Sequence, residues 1–170
     1  MIDSVNFILS VFAVIAQIAI VFLIVAKITK NQSILKFVNE KVLILSLVIV
    51  LGGIFGSLFY SEIAGYAPCS LCWWQRVFLY PQAIILGLAL IKKDLAVTRY
   101  IKTLSLFGLV ISAYQSLLQM GLVPSIICGT SSISCAQRYF INFGYITLPL
   151  MGFTAFLLLT ILNWNPALED

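Results

Sequence analysis

Pro68-Cys69-Ser70-Leu71-Cys72-Trp73-Trp74-Gln75-Arg76 opens a stretch that continues through Val77-Phe78-Leu79-Tyr80-Pro81 and stays apolar to residue 91. A helix needs about 20 apolar residues to cross ~30 Å of hydrocarbon, and residues 73–91 meet that length. Four further stretches do so to within a few residues: 5–26, 42–60, 101–120 and 145–162. Composition points the same way. Hydrophobic residues make up 62% of the 170 and charged residues 9%, against about 25% charged in a soluble globular chain. Ten basic and six acidic side chains cannot cover a water-soluble body of this size. The chain is predicted to be an all-α polytopic membrane protein with connections at 27–41, 61–72, 92–100 and 121–144.

Lys and Arg accumulate in cytoplasmic loops, so the loops set the orientation. Lys27, Lys30, Lys36 and Lys41 fall in the first connection; Lys92, Lys93, Arg99 and Lys102 fall in or beside the third. Only Arg76 and Arg138 fall towards the other side. The first and third connections are therefore predicted to be cytoplasmic, with the segments around 69–72 and 128–135 facing outward in a cell membrane. A secretory signal is the alternative for residues 5–26. The start Met1-Ile2-Asp3-Ser4-Val5-Asn6 lacks a positive n-region, and the run exceeds the 7–15 residues of a signal core. A retained helix with an outside N-terminus is expected.

Several kinds of chemistry are excluded. With no histidine there is no His base, no His-ligated haem and no His-containing zinc site. Asp3, Glu40, Glu62, Asp94, Glu169 and Asp170 all lie outside long apolar runs, so a buried carboxylate proton relay has nothing to be made from. The net charge of +4 is spread between apolar blocks, which does not read as nucleic-acid binding.

All four cysteines fall in or at the edge of the two outward segments. Thiols outside the cytoplasm tend to be oxidised, so Cys69/Cys72 and Cys128/Cys135 are expected to form two disulfides or one redox relay. A Cys-X-X-Cys bridge closes a very small ring and adds little entropic stability, so it suits a reversible couple better than a staple. Stapled loops and a four-thiolate zinc site are the alternatives, the second disfavoured by an oxidising compartment. Pro68 ends what precedes the pair, which puts Cys72 at or near a helix N-terminus. The free backbone N–H groups there stabilise a thiolate. Arg76 stands one turn further along the same face, where it either snorkels to the headgroups or places a fixed positive charge beside that sulfur. With both features a depressed Cys72 pKa is expected, and the same charge could hold an anionic or carbonyl oxygen of a small molecule. Trp73, Trp74 and Tyr80 are read as interfacial belt residues.

The stretch from Pro68 to Pro81, with Phe143-Gly144-Tyr145-Ile146-Thr147-Leu148-Pro149 entering the last helix, resembles the DsbB/BdbC family of membrane thiol oxidases. The similarity covers about residues 42–163. It implies a four-helix transmembrane bundle of the DsbB type that reoxidises a DsbA-like thioredoxin-fold partner and passes electrons to membrane quinone (ubiquinone or menaquinone), with no metal. By the resemblance, Cys72 is the sulfur beside the quinone ring, Cys69 its partner and Arg76 the quinone-contacting arginine. Cys128 forms the mixed disulfide with the partner protein, and Cys135 passes the exchange towards Cys69. The implied division is an extra N-terminal transmembrane helix with a basic loop (1–41), the core (42–163) and a short cytoplasmic tail (164–170). The extra helix departs from the family pattern. So does the shortness of the 128–135 loop, and Tyr60-Ser61-Glu62 stands where some members carry a glutamine near the quinone.

Two other readings stand beside it. A relative of vitamin K epoxide reductases would carry its loop pair first along the chain, whereas Cys69/Cys72 comes first here. A non-enzymatic accessory subunit would hold stapled loops. Among the remaining polar residues, Gly52 and Gly56 have the small-xxx-small spacing of close helix packing, and Gln17, Gln115 and Gln119 are expected to make interhelical hydrogen bonds.

Overall fold

The computed structural model describes residues 2–124, 128 and 134–164. They form an all-α membrane bundle: α1 (Ile2–Ile28), α2 (Gln32–Leu58), α3 (Ser70–Lys92), α4 (Thr98–Gln119) and α5 (Leu148–Leu162). Among the described residues four helices are long and apolar enough to cross a membrane, α2 together with the π-helical turn that follows it; α5 is apolar but has 15 residues. That is roughly 22 Å at 1.5 Å per residue.

The bundle inverts the pattern of a water-soluble protein. Phe12, Ile18, Ile84 and Ile91 point outward, while Ser46, Gln82, Thr98, Ser105, Ser112 and Asn163 are fully buried. In hydrocarbon each interior polar group needs a partner within the protein. Gln82 donates to Phe78 O at 2.9 Å and accepts from Ser105 Oγ at 3.1 Å, joining α3 to α4. Asn163 Nδ2 reaches Ser46 Oγ at 2.9 Å, joining the end of α5 to α2. Ser112 and Ser116 bond back to carbonyls of their own helix, which frees α4 to present a small-residue face. Gly108 lies on that face against the Phe156 ring of α5, where any Cβ would overlap the ring.

The expected connection at 27–41 is corrected to a turn at 29–31. Asn31 caps α2 through its side-chain oxygen, which accepts from Ile34 N at 3.4 Å, and the helix extends back through Lys36 and Lys41. Polar residues can continue a helix beyond the apolar span, so hydropathy marked the span and missed the helix. At the other end the expected span 42–60 gives way after Leu58 to a π-helical turn, Phe59–Ile63. Left-handed Gly65 (φ 70°) ends that turn, and the chain then leads to Pro68. The last helix starts at Leu148 rather than at 145. Residues 142–146 form a tight turn, with Phe143 and Gly144 at positive φ and Ile146 N bonded to Asn142 O at 2.8 Å; Pro149 then sits in the first turn of α5. Tyr80 is corrected as well. It packs mid-helix against the core with its hydroxyl buried. Of the expected tail, only Trp164 lies within the described residues.

Helix alternation gathers the 29–31 and 93–97 turns at one end of the bundle and both cysteine pairs at the other. Replacing Gly108 by Val should overpack the α4–α5 contact and cost about 1–3 kcal/mol. Equilibrium unfolding in mixed micelles would read this. Gly87→Ala, where a Cβ meets nothing within 4 Å, should show no comparable loss.

Candidate redox site

Pro68 stops the extended segment, and Cys69, with φ −76° and ψ 172°, is the N-cap of α3. Cys72 follows three positions into the first turn, so both sulfurs lie by a helix N-terminus, as expected. The two thiols are free, and their Sγ atoms are 3.1 Å apart. A carboxamide chain aims at them. Gln75 Nε2 donates to Gln115 Oε1 at 2.6 Å, and Gln115 Nε2 lies 3.3 Å from Cys69 Sγ and 3.4 Å from Cys72 Sγ. The Gln75 bond occupies the Gln115 oxygen, so the Gln115 amine is left for sulfur. Gly152 of α5 makes room for the pair, since a Cβ there would stand 2.7 Å from Gln75 Oε1. The hydrogen bond with Cys72, reinforced by burial, holds the Cys69 thiol above its ordinary pKa.

Arg76 does not snorkel. It is 8% exposed; its Nε donates to Ser57 Oγ at 2.8 Å and a terminal nitrogen to Ser57 O at 3.0 Å. Its guanidinium also lies 5.1 Å from the Trp73 ring centroid, so Trp73 stacks on a cation as well as facing outward.

Cys128 and Cys135 are joined in a disulfide. Both are buried, and they share one apolar cluster with Cys69, Leu71 and Leu118. The segment after Cys135 is tied down by several contacts. Tyr139 stacks on Tyr66 with centroids 4.3 Å apart, and its hydroxyl donates to Ala67 O at 2.9 Å. Tyr60 stacks in turn on Tyr66 and on Phe140. Gln119 Nε2 donates to Gln137 O at 2.9 Å, and Arg138 donates to Gln119 O.

Cys69, Cys72, Cys135 and Arg76 also border a cavity of about 730 Å³ that runs from this cluster down between α1, α2 and α5. Its lining is mostly apolar. The Tyr60 hydroxyl in its wall is buried, with no hydrogen-bond partner among the described residues. Among the described residues no group of three or more His, Cys, Asp or Glu side chains could hold a metal ion.

Comparison with known proteins agrees with this arrangement. The family model for Disulfide bond formation protein DsbB matches residues 39–165. The chain belongs to the DsbB family. It is 46% identical over 107 residues to the SPbeta prophage-derived disulfide bond formation protein B of Bacillus subtilis, covering 63% of this chain and 72% of that one. Disulfide bond formation protein C of the same organism is 36% identical over 121 residues, covering 68% and 85%. Probable disulfide formation protein C of Halalkalibacterium halodurans is 34% identical over 123 residues, covering 72% and 90%. No solved structure matches the chain.

DsbB-family membership carries the protein into disulfide-bond formation in a membrane. The structure brings together all five residues singled out in the sequence, but several participants were missed. Ser57 fixes Arg76, Gln75 orients Gln115, and Tyr66 and Tyr139 tie down the segment after Cys135. Gln115 was read as an interhelical bond only; it makes that bond and faces both sulfurs besides. Gln119 bonds to the 137–138 segment rather than to another helix. Gln17 does bridge helices, with its Nε2 3.4 Å from Thr154 Oγ1. Gly52 has open space where close packing was expected, whereas Gly53 packs against Leu79. Gln75 and Gln115 share no sequence motif, so only their register across α3 and α4 could have paired them.

A disulfide offers weaker acceptors than a dithiol, so the Gln115 amide favours the reduced pair. Gln115→Leu should make the Cys69/Cys72 couple more reducing by roughly 10–30 mV. That follows from about 0.5–1.5 kcal/mol net for one hydrogen bond and ~30 mV per 1.4 kcal/mol in a two-electron couple. Equilibration in thiol redox buffers followed by alkylation would measure it; an unchanged midpoint would show that the amide leaves the couple alone.

Proposed function

We propose that the chain is a thiol:quinone oxidoreductase that reoxidises a DsbA-like thioredoxin-fold partner and passes the electrons to membrane quinone. The observation that carries this reading is the meeting of a free Cys69/Cys72 pair and the Cys128–Cys135 disulfide in one apolar cluster, at the head of a cavity that also reaches Arg76. The basic turns at the other end of the bundle support a cysteine end that faces outward from the cell membrane. On this reading residues 42–163 are the working core, and α1 is an addition to it.

The residues present suit an apolar ring with carbonyl oxygens. Arg76 supplies a buried cation, and the Tyr60 hydroxyl supplies a donor with no other partner among the described residues. A quinone held there would supply the two-electron, two-proton acceptor for the Cys69/Cys72 pair.

The chain's own part is thiol–disulfide exchange. A partner thiolate attacks Cys128, and Cys135 leaves as a thiolate. The second partner thiol then releases Cys128, so the partner gains a disulfide and the loop pair becomes a dithiol. Cys135 next attacks Cys69 of an oxidised Cys69–Cys72 bridge, and Cys128 resolves the mixed disulfide, which restores the Cys128–Cys135 bond and leaves Cys69 and Cys72 reduced. Oxidation of that pair re-forms its bond and gives up two electrons and two protons. Each exchange needs an accessible sulfur and a stabilised leaving thiolate. The helix start and Gln115 serve the second need at Cys72. The first is the obstacle: Cys128 and Cys135 are buried in the apolar cluster, so partner docking must open that cluster before Cys128 can be attacked.

In membranes supplied with quinone and a reduced thioredoxin-fold partner, Cys69→Ser and Cys72→Ser should abolish quinone reduction. Cys128→Ser should stop reduction by the partner while leaving Cys69/Cys72 able to pass electrons from dithiothreitol. Full turnover of the partner by Cys128→Ser would remove the relay. Arg76→Ala should raise the quinone KM, about tenfold for the loss of one charged hydrogen-bonding group.

A further inference from the structure

Helix α1 lies ahead of the family-matched residues 39–165, and the function proposed above leaves it without a role. Its polar attachments are one-sided. Asn142 Nδ2 donates to Ser10 Oγ at 2.8 Å, and the Tyr145 hydroxyl donates to Gln17 Oε1 at 2.8 Å. Gln17 also reaches Thr154, as described above. At the far end, Lys27 Nζ donates to the carbonyls of Ile161 and Trp164, each at 2.6 Å. Every one of these partners lies on α5 or its flanks, and none lies on α2. The bonds therefore seat α1 beside α5 and hold it there along its length.

What separates α1 from α2 is the cavity. Leu9, Ala13 and Ala16 line it from α1, and Gly52 and Gly56 from α2. A Cβ at Gly52 would meet nothing within 4 Å, and one at Gly56 would meet only Leu9 Cδ1, at 3.8 Å. Small side chains facing each other across a helix pair ordinarily bring the helices together. Here the polar attachments to α5 keep α1 back, and the small residues leave a slot instead. The slot is continuous with the space at Cys72 and Arg76. Away from the cysteine end its lining is apolar apart from Thr154, whose hydroxyl is already bonded to Leu150 O at 2.9 Å.

We propose that α1 is the outer wall of a slot for the isoprenoid tail of the quinone, so that the tail lies between α1 and α2 while the ring lies at Cys72 and Arg76. This rests on the quinone-linked reading above and adds a specificity-determining element outside the family core. A wall on that side gives the tail contacts within the protein, whereas without it the tail would lie in lipid. Affinity then depends on the tail as well as on the ring.

The test is photolabelling of the full-length protein in detergent with a quinone whose tail carries a diazirine, followed by peptide mapping. The expected label falls on residues 2–28 and is displaced by excess unmodified tailed quinone. In Ala13→Phe, quenching of tryptophan fluorescence should show the Kd for a tailed quinone rising about tenfold, with that for a tail-less benzoquinone moving less than about twofold. Gly52→Leu, which enters open space from the opposite wall, should give the same tail-selective loss if Ala13→Phe fails to fold. Displaceable label confined to α2 and α5 would overturn the role of α1 and leave the proposed function standing. Equal losses for both quinones would overturn it too. No displaceable label anywhere would overturn the quinone-linked reading and this inference with it.

Discussion

A guanidinium inside an apolar bundle has to be met by hydrogen bonds, and the cysteine end of this protein is arranged around how Arg76 is met. Ser57 satisfies it twice, through its hydroxyl and its carbonyl, and Trp73 covers one of its faces. Those contacts lock the last turns of α2 to the first turns of α3. They also keep the charge from snorkelling, which is the default for an arginine near a helix end. The N-terminus of α3 is thereby fixed, and with it Cys69 and Cys72. The amide chain from Gln75 through Gln115 answers the same need at the sulfurs from the α4 side. In hydrocarbon these polar groups have only one another for partners, and the candidate site is the place where they meet.

Small residues do two different jobs in the bundle. On α4, Gly108 and its serine neighbours let Phe156 come close, and α4 and α5 form a tight pair. On α2, Gly52 faces open space, and Gly56 is approached only by the tip of Leu9. The difference lies in what else holds the helices: α4 and α5 meet directly, whereas α1 is bonded at three levels to α5 and its flanks, which keeps it back from Gly52 of α2. One composition therefore gives a packed seam on one side of α5 and a slot on the other.

This explains what could be read from the sequence. The spans of α1, α3 and α4, the Cys69–Cys72 placement at a helix start and the register of Arg76 all follow from local rules of length, periodicity and capping. Helix ends were less legible. Polar residues continue α2 back to Gln32, and a tight turn at Phe143-Gly144 delays α5 to Leu148, because hydropathy measures what sits in lipid rather than what is helical. Long-range partners were not legible at all. Nothing near Gln115 in sequence announces that its amine faces two sulfurs 43 and 46 residues away, and nothing near Tyr139 announces Tyr66. Gly52 was misread for the same reason, since spacing along one helix cannot say whether another helix fills the groove.

Burial of the Cys128–Cys135 bond bears on how a thiol oxidase selects its reductant. An exposed loop disulfide would accept electrons from any small thiol outside the cell. Here the bond lies in an apolar cluster, and the segment that follows it is held by the Tyr66–Tyr139 stack. One aromatic pair contributes about 0.5–1.5 kcal/mol beyond its buried area, and the Tyr139–Ala67 hydrogen bond adds a similar amount. Contacts of that strength hold the segment after Cys135 in place nearly all the time, yet they are weak compared with the binding energy of a docked protein. A small thiol brings no such energy. On the proposed reading, the partner is therefore chosen by its ability to dislodge those contacts, before any sulfur chemistry begins.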